Sequence, residues 1–168
     1  MTLEQAANYA DIFSALAVVG GITFGLFQLS EYRKQRRDVI AAELMRTFYS
    51  VDLADAVTLV RRLPDHCQTD ELRRRGPEYE RAAVIVNTSF ETMGLLVFRR
   101  IAAYDMVEQL AGGMVVMLWR KLDVWVATVR AEQSQPSWAE WFQWLAELLA
   151  PRKSSTQPAH VEYRGWKP

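Results

Sequence analysis

Asn87 and Glu91 stand one helical turn apart in the run N-T-S-F-E-T-M-G, on a stripe whose other members are Phe90, Gly94, Phe98 and Ile101. Residues three and four apart share one face of a helix, so an amide and a carboxylate fall on an otherwise apolar stripe. A buried carboxylate is costly unless it is paired and hydrogen-bonded. Such a group could act as a general acid or base with a raised pKa, or anchor a ligand. It could equally sit in a structural network with an arginine, Tyr104 or a tryptophan N–H. No other residues complete a catalytic set. The chain has no H-E-x-x-H and no phosphate-cradling glycine loop, and its two histidines, His66 and His160, fall in a loop and in the tail. Asn87 and Glu91 are therefore the candidate polar site of a protein expected to be non-catalytic.

Metal and disulfide chemistry are thinly supplied. Cys67 is the only cysteine, so no intrachain disulfide can form. His66, Cys67 and His160 do not reach the four regularly spaced ligands of a structural zinc site, and no metal or cofactor is expected. Gly112-Gly113 is too short for a phosphate loop and reads as a helix break that lets helices pack closely. Gly94 similarly marks a close crossing, expected beside Trp119 or Trp125. The 20 basic and 20 acidic residues cancel. The basic ones come in scattered groups, Arg61-Arg62, Arg73-Arg74-Arg75, Arg99-Arg100 and Arg120-Lys121, which read as solvated helix faces. A nucleic-acid surface needs a concentrated positive excess, so none is expected.

These residues must be positioned by helices, and the first of those has a different solvent. Residues 12–30 contain no charge. As a helix they rise about 28 Å, close to the roughly 30 Å hydrocarbon core of a bilayer. Thr23 and Gln28 are the polar exceptions, and a helix can satisfy both locally or at the interface. Glu4 and Asp11 precede the run, while Arg33, Lys34, Arg36 and Arg37 follow it. A secretory signal has the reverse polarity and a small-residue cleavage site. The segment reads as a single transmembrane helix. Its basic flank places the short N-terminus, residues 1–11, outside and the remainder in the cytoplasm, as expected for a protein of the inner (cytoplasmic) membrane. Ala17, Gly21 and Gly25 form a small-residue ridge of the kind that lets membrane helices approach.

The pattern beyond is helical throughout, with no period-two stretch, so the fold class is all-α. Met45, Tyr49, Leu53, Ala56, Val60 and Leu63 share one stripe, and Ile40, Leu44, Phe48 and Val51 an adjacent one. No glycine or proline interrupts Leu26 to Leu63, so the membrane helix is expected to continue as one rod until Pro64-Asp65. A short helix is expected near residues 70–75, a longer one over 78–102, and a short one ending at Gly112-Gly113. The next carries Val115, Leu118, Trp119, Leu122, Trp125, Val126 and Val129. The last opens at Ser137 with capping-box spacing to Glu140 and closes at Pro151. The expected organisation is a membrane helix, a cytoplasmic bundle of about four helices over residues 31–150, and a flexible tail over 151–168.

Phe90-Glu91-x-x-Gly94, Asp105, Gly112-Gly113, Trp119 and the aromatic helix around Trp141-Phe142 occur in an order that resembles a bacterial domain family of unknown function. The resemblance extends from about Tyr9 to Leu149. It implies an N-terminal membrane helix joined to a small helical cytoplasmic domain, and it brings no established reaction.

The final long helix carries Trp138, Trp141, Phe142, Trp144, Leu145, Leu148 and Leu149, apolar over more than half its circumference. Its polar residues Glu140, Gln143 and Glu147 disfavour an anionic lipid surface, so core packing or a protein partner fits Trp138, Trp141 and Trp144 better. The expected function is a membrane-anchored interaction module, self-associating or an accessory subunit of a membrane assembly. The alternatives are a sensor that binds a cytoplasmic ligand at Asn87 and Glu91 and acts through the membrane helix, or an enzyme using Glu91. The expected partners are the lipid bilayer and either a second copy or another membrane protein.

Overall fold

The computed structural model describes residues 18–29, 32, 39, 46, 50–155 and 157–167. Among them all regular structure is helical. The chain divides into two compact units, residues 1–40 and 41–168. In the first, α1 (Val18–Leu29) is an apolar helix whose described residues are all exposed. Thr23 Oγ1 donates to the Val19 carbonyl at 2.8 Å, so this hydroxyl is satisfied locally, as the sequence led us to expect. The described turns rise about 18 Å, and reaching the roughly 30 Å of a hydrocarbon core requires more of the 12–30 segment. A Cβ added at Gly21 or Gly25 would meet nothing within 4 Å. Ala17, Arg33, Lys34, Arg36 and Arg37 lie outside the described residues.

The second unit contains α2 (Val51–Arg61), α3 (Thr69–Arg74), α4 (Pro77–Phe98), α5 (Tyr104–Gln133), α6 (Glu140–Ser155) and α7 (Ala159–Glu162). Helix α2 starts abruptly. Ser50 is extended (φ −70°, ψ 133°), and its hydroxyl accepts from the Leu53 amide at 3.1 Å. Asp52 occupies the first turn, where a negative charge is favourable. The uninterrupted rod expected up to Leu63 is therefore wrong: it breaks at Ser50, a cap with no need of glycine or proline. Leu53, Ala56, Val60 and Leu63 are buried as their spacing requires, whereas Val51 is exposed.

Helix α4 packs on α2 and on α6, and α6 packs in turn on α5. Gly76 enters α4 at φ 124°, a conformation open to glycine, and Pro77 takes the first helical position. By length and apolarity α4 could cross a membrane. Its Ala82, Ala83, Val86, Phe90, Met93 and Gly94 instead belong to the protein core. The core continues through Val115, Leu118, Leu122, Trp125, Val126 and Val129 of α5 and Phe142, Leu145 and Leu149 of α6.

The packing corrects further expectations. Gly112-Gly113 does not break the chain, because α5 runs through both glycines. Gly112 is buried, and a Cβ there would lie 2.5 Å from Lys153 Cε and 3.6 Å from Leu149 Cδ2. Gly112 thus serves a close approach to α6 within a continuous helix, and tertiary packing outweighs the local helix penalty of glycine, about 1 kcal/mol per residue. Gly94 does mark a close crossing, but its neighbour is the Trp141 backbone of α6 and not Trp119 or Trp125. Pro151 does not end α6, which continues to Ser155. Proline removes a ladder bond there. Arg152 and Lys153 hold the turn beyond it to Glu108 of α5 at 3.0 and 3.5 Å.

Candidate functional site

The structure separates the two members of the candidate polar site by role. Asn87 is 3% exposed, on the core side of α4, and its Oδ1 has no hydrogen-bond partner among the described residues. Glu91, one turn later, is half-buried and reaches out of its own helix. Its Oε2 accepts from the Phe142 amide at 2.8 Å. The first turn of a helix presents amides with no intrahelical acceptor and a partial positive charge, and Glu91 supplies the missing acceptor from a neighbouring helix. The expected capping box is not formed. Ser137 lies in the turn before α6, offers its carbonyl to the Glu140 amide at 3.3 Å, and Ala139 adopts φ 64° just ahead of the helix. The backbone of that turn bends away from cap geometry, and Glu91 takes the role from α4.

Burial raises the Glu91 pKa above its ordinary value. The Phe142 and Trp141 amides oppose that shift, nearby Glu140 adds to it, and Arg130 counters it. The expected partners, an arginine, Tyr104 or an indole N–H, are replaced by backbone amides. A carboxylate held in this way pins two helices together. Three surface cavities of about 550, 660 and 590 Å³ are lined respectively around Arg73, around Glu108 and Arg152, and around Gly113 and Pro151. None of the three is lined by Asn87 or Glu91.

Sequence reasoning missed a polar cluster that ties the loop after α2 to α5. His66 Nδ1 lies 2.6 Å from Asp123 Oδ2, and the His66 amide donates to the Arg120 carbonyl at 2.6 Å. Lys121, read from the sequence as part of a solvated basic pair, is only 9% exposed. Its Nζ donates to the Leu63 carbonyl at 2.5 Å and to Asp65 Oδ1 at 3.2 Å. The hydrogen bond from Lys121, with the charges of Lys121, Arg120 and His66, holds the Asp65 carboxyl below its ordinary range against a burial effect. A histidine oriented by a carboxylate is one part of a nucleophilic triad, and the neighbouring Cys67 would be the obvious nucleophile. That thiol is 1% exposed and points to the Gln68 carbonyl at 3.6 Å. Burial pushes its pKa up, the opposite of activation. The cluster fastens a loop. Among the described residues, no group of three or more histidine, cysteine, aspartate or glutamate side chains is arranged to hold a metal ion.

The aromatic residues divide between core and surface. Trp125 is buried, with its Nε1 unpartnered among the described residues, and packs edge-on against Trp138 at 5.2 Å. The Trp138 carbonyl accepts from Arg130 Nε at 2.7 Å, so Trp138 belongs to the seam between α5 and the start of α6. Trp141 and Trp144 are half-buried and meet Phe98 at 4.3 and 5.8 Å. Phe98 is 50% exposed, and Leu95, Ile101 and Leu148 are exposed as well. Of the three tryptophans expected on a partner surface, Trp141 and Trp144 lie at the protein surface beside Phe98.

The family model for a domain of unknown function, DUF4760, matches residues 15–149. The chain belongs to the DUF4760 family. The match covers both α1 and the helices α2 to α5, together with most of α6. Membership of the family assigns no reaction, and the described residues show no constellation that would. No curated protein and no solved structure matches the chain.

Proposed function

We propose that this DUF4760 protein is a single-pass, membrane-anchored helical interaction module without catalytic activity, which self-associates or serves as an accessory subunit of a membrane assembly. The observation that carries the reading is the surface cluster of Phe98, Trp141 and Trp144. Phe98 is half exposed and Trp141 and Trp144 are half-buried against it, with exposed Leu95, Ile101 and Leu148 on the same helices or just beyond them, whereas Phe90, Trp125, Phe142 and Leu149 are fully buried in the core. Tryptophan and phenylalanine in a contiguous exposed patch are the side chains that partner surfaces use. The chemistry of Glu91, His66 and Cys67 supports the non-catalytic part, since each is engaged in holding helices or a loop.

The anchor is the 12–30 segment, of which α1 is the described portion, and the basic residues after it favour a cytoplasmic body. Membrane fractionation tests this part. The protein should stay in the membrane pellet after alkaline carbonate extraction, and a C-terminal tag should be protected from protease in intact spheroplasts. Release into the supernatant, or cleavage of the tag from outside, would sink the anchored topology.

A second reading is favoured by one observation, the orphaned Asn87 Oδ1 in the core. A cytoplasmic ligand that reached it would make the body a sensor acting through the membrane helix. A thermal shift with a cytoplasmic metabolite that is lost in Asn87→Leu would support that reading, and its absence across a metabolite panel would remove it.

A further inference from the structure

The surface cluster has an ordered edge structure. On α6, at about 100° per residue, Trp141 and Leu148 lie about 20° apart, Trp144 follows, and Glu140 and Glu147 come about 40–60° beyond Trp144. Phe98 of α4 closes on the Trp141 side, with ring centroids 4.3 Å apart. Immediately after Phe98 come Arg99 and Arg100, both exposed and without an ion pair among the described residues. The patch therefore runs from a cationic edge at the end of α4, across Phe98, Trp141 and Trp144, to an acidic edge on α6. Glu140 and Glu147 make no ion pair among the described residues either. Glu147 accepts from Gln143 Nε2 at 2.7 Å, and Gln143 in turn accepts from Arg130.

We infer that this patch is a two-fold dimerisation surface, and that its occupant is the same patch on a second copy of the chain. An isologous interface must be self-complementary. A patch with an aromatic centre, one basic edge and one acidic edge meets that requirement: rotation about an axis near Trp144 sets Arg99 and Arg100 of each copy against Glu140 and Glu147 of the other. A foreign anionic surface, such as lipid headgroups, would meet the acidic edge as well as the basic one, and so gains nothing from the arrangement. The patch is smaller than a standard interface, which uses about 20–30 residues a side. Its strength depends on confinement of both copies to one membrane, which raises their effective concentration. To that extent the inference rests on the proposed anchoring.

The test uses the full-length chain, co-expressed under two different tags and extracted in mild detergent. The paired reversals are Arg99→Glu with Arg100→Glu, and Glu140→Lys with Glu147→Lys. Wild-type chains of the two tags should co-purify as a dimer. Either reversed chain paired with itself should lose at least tenfold of that association, and the two reversed chains paired with each other should recover it. Recovery also shows that both variants fold. Undiminished association of either reversed chain with itself, or no recovery in the mixed pair, would overturn the assignment of this surface. A wild-type monomer held by a different stoichiometric protein would overturn it while leaving the proposed function standing. A monomer with no partner would remove both. A monomer whose tryptophan emission shifts blue on anionic vesicles, and not in Trp144→Phe, would assign the patch to lipid and overturn the dimer.

Discussion

Gly94 and Gly113 are both helical glycines, and the structure assigns opposite consequences to the same substitution. A Cβ at Gly94 would press into the Trp141 carbonyl oxygen and lie 2.6 Å from its carbon and 3.0 Å from the Trp141 Cβ. Backbone atoms inside two packed helices have no rotamer by which to escape. Helices α4 and α6 would have to separate by a fraction of an ångström or more, an overpacking cost of about 1–3 kcal/mol. The gain in helix propensity on replacing glycine by alanine returns at most about 1 kcal/mol. Separation of α4 and α6 also stretches the bond from Glu91 to the Phe142 amide, which adds to the loss. Gly94→Ala should therefore be destabilising by about 1–2 kcal/mol net.

Gly113, by contrast, has nothing within 4 Å of an added Cβ and lies inside α5. Gly113→Ala keeps the propensity gain and should be stabilising by about 0.5–1 kcal/mol. The assay is urea unfolding followed by far-UV circular dichroism on the full-length protein in one detergent, comparing midpoints at equal slope. A Gly94→Ala protein as stable as wild type would refute the close crossing of α4 and α6. A Gly113→Ala protein destabilised as much as Gly94→Ala would refute the continuous α5 with an open face at Gly113.

Glu91→Ala removes the acceptor at the start of α6 and should cost about 1–2 kcal/mol, the usual loss for a helix cap, whereas Glu91→Gln keeps an oxygen there and should cost less. Because burial raises the folded-state pKa of Glu91 above its ordinary 4.5, the folded protein binds more protons between 4.5 and the raised value. Wild-type stability relative to Glu91→Gln should fall as pH rises through that window; a flat difference across it would argue against a carboxyl whose ionisation is opposed by burial. Lys121→Met preserves much of the packing but leaves the Leu63 carbonyl without its donor, and should cost about 1–3 kcal/mol. A change within 0.5 kcal/mol would show that Lys121 is solvated after all.

The helical class and much of the core were legible because they depend only on spacing. Leu53, Ala56, Val60 and Leu63 recur with the period of a helix, as do Val115, Leu118, Leu122, Trp125 and Val129, and all of them are buried. The boundaries were less legible. The break at Ser50 is made by a side-chain oxygen and an acidic first turn, a signal concealed by an otherwise unbroken apolar stripe. At Gly112-Gly113 and Pro151 the local signals point to breaks, yet contacts with α6 in one case and α5 in the other sustain the helices. The polar site was legible only in part. Its residues could be named, but the partner of Glu91 is a backbone amide that has no residue type to read, contributed by a segment 51 residues away. The pairing of His66 with Asp123 across 57 residues was hidden for the same reason: the approach is decided by how α5 lies on the loop after α2. The surface cluster lay between. Trp141 and Trp144 could be singled out from the sequence, while Phe98 joined them only once α4 and α6 were seen to cross at Gly94.

The central claim is that the protein works by assembling in the membrane. It is tested most directly by the mass of the full-length chain extracted in mild detergent, measured by light scattering with detergent subtracted and with co-purifying proteins identified. The account predicts a discrete complex, either a homo-oligomer or one chain with a stoichiometric membrane partner. A homogeneous monomer with no partner across mild detergents and nanodiscs would contradict it.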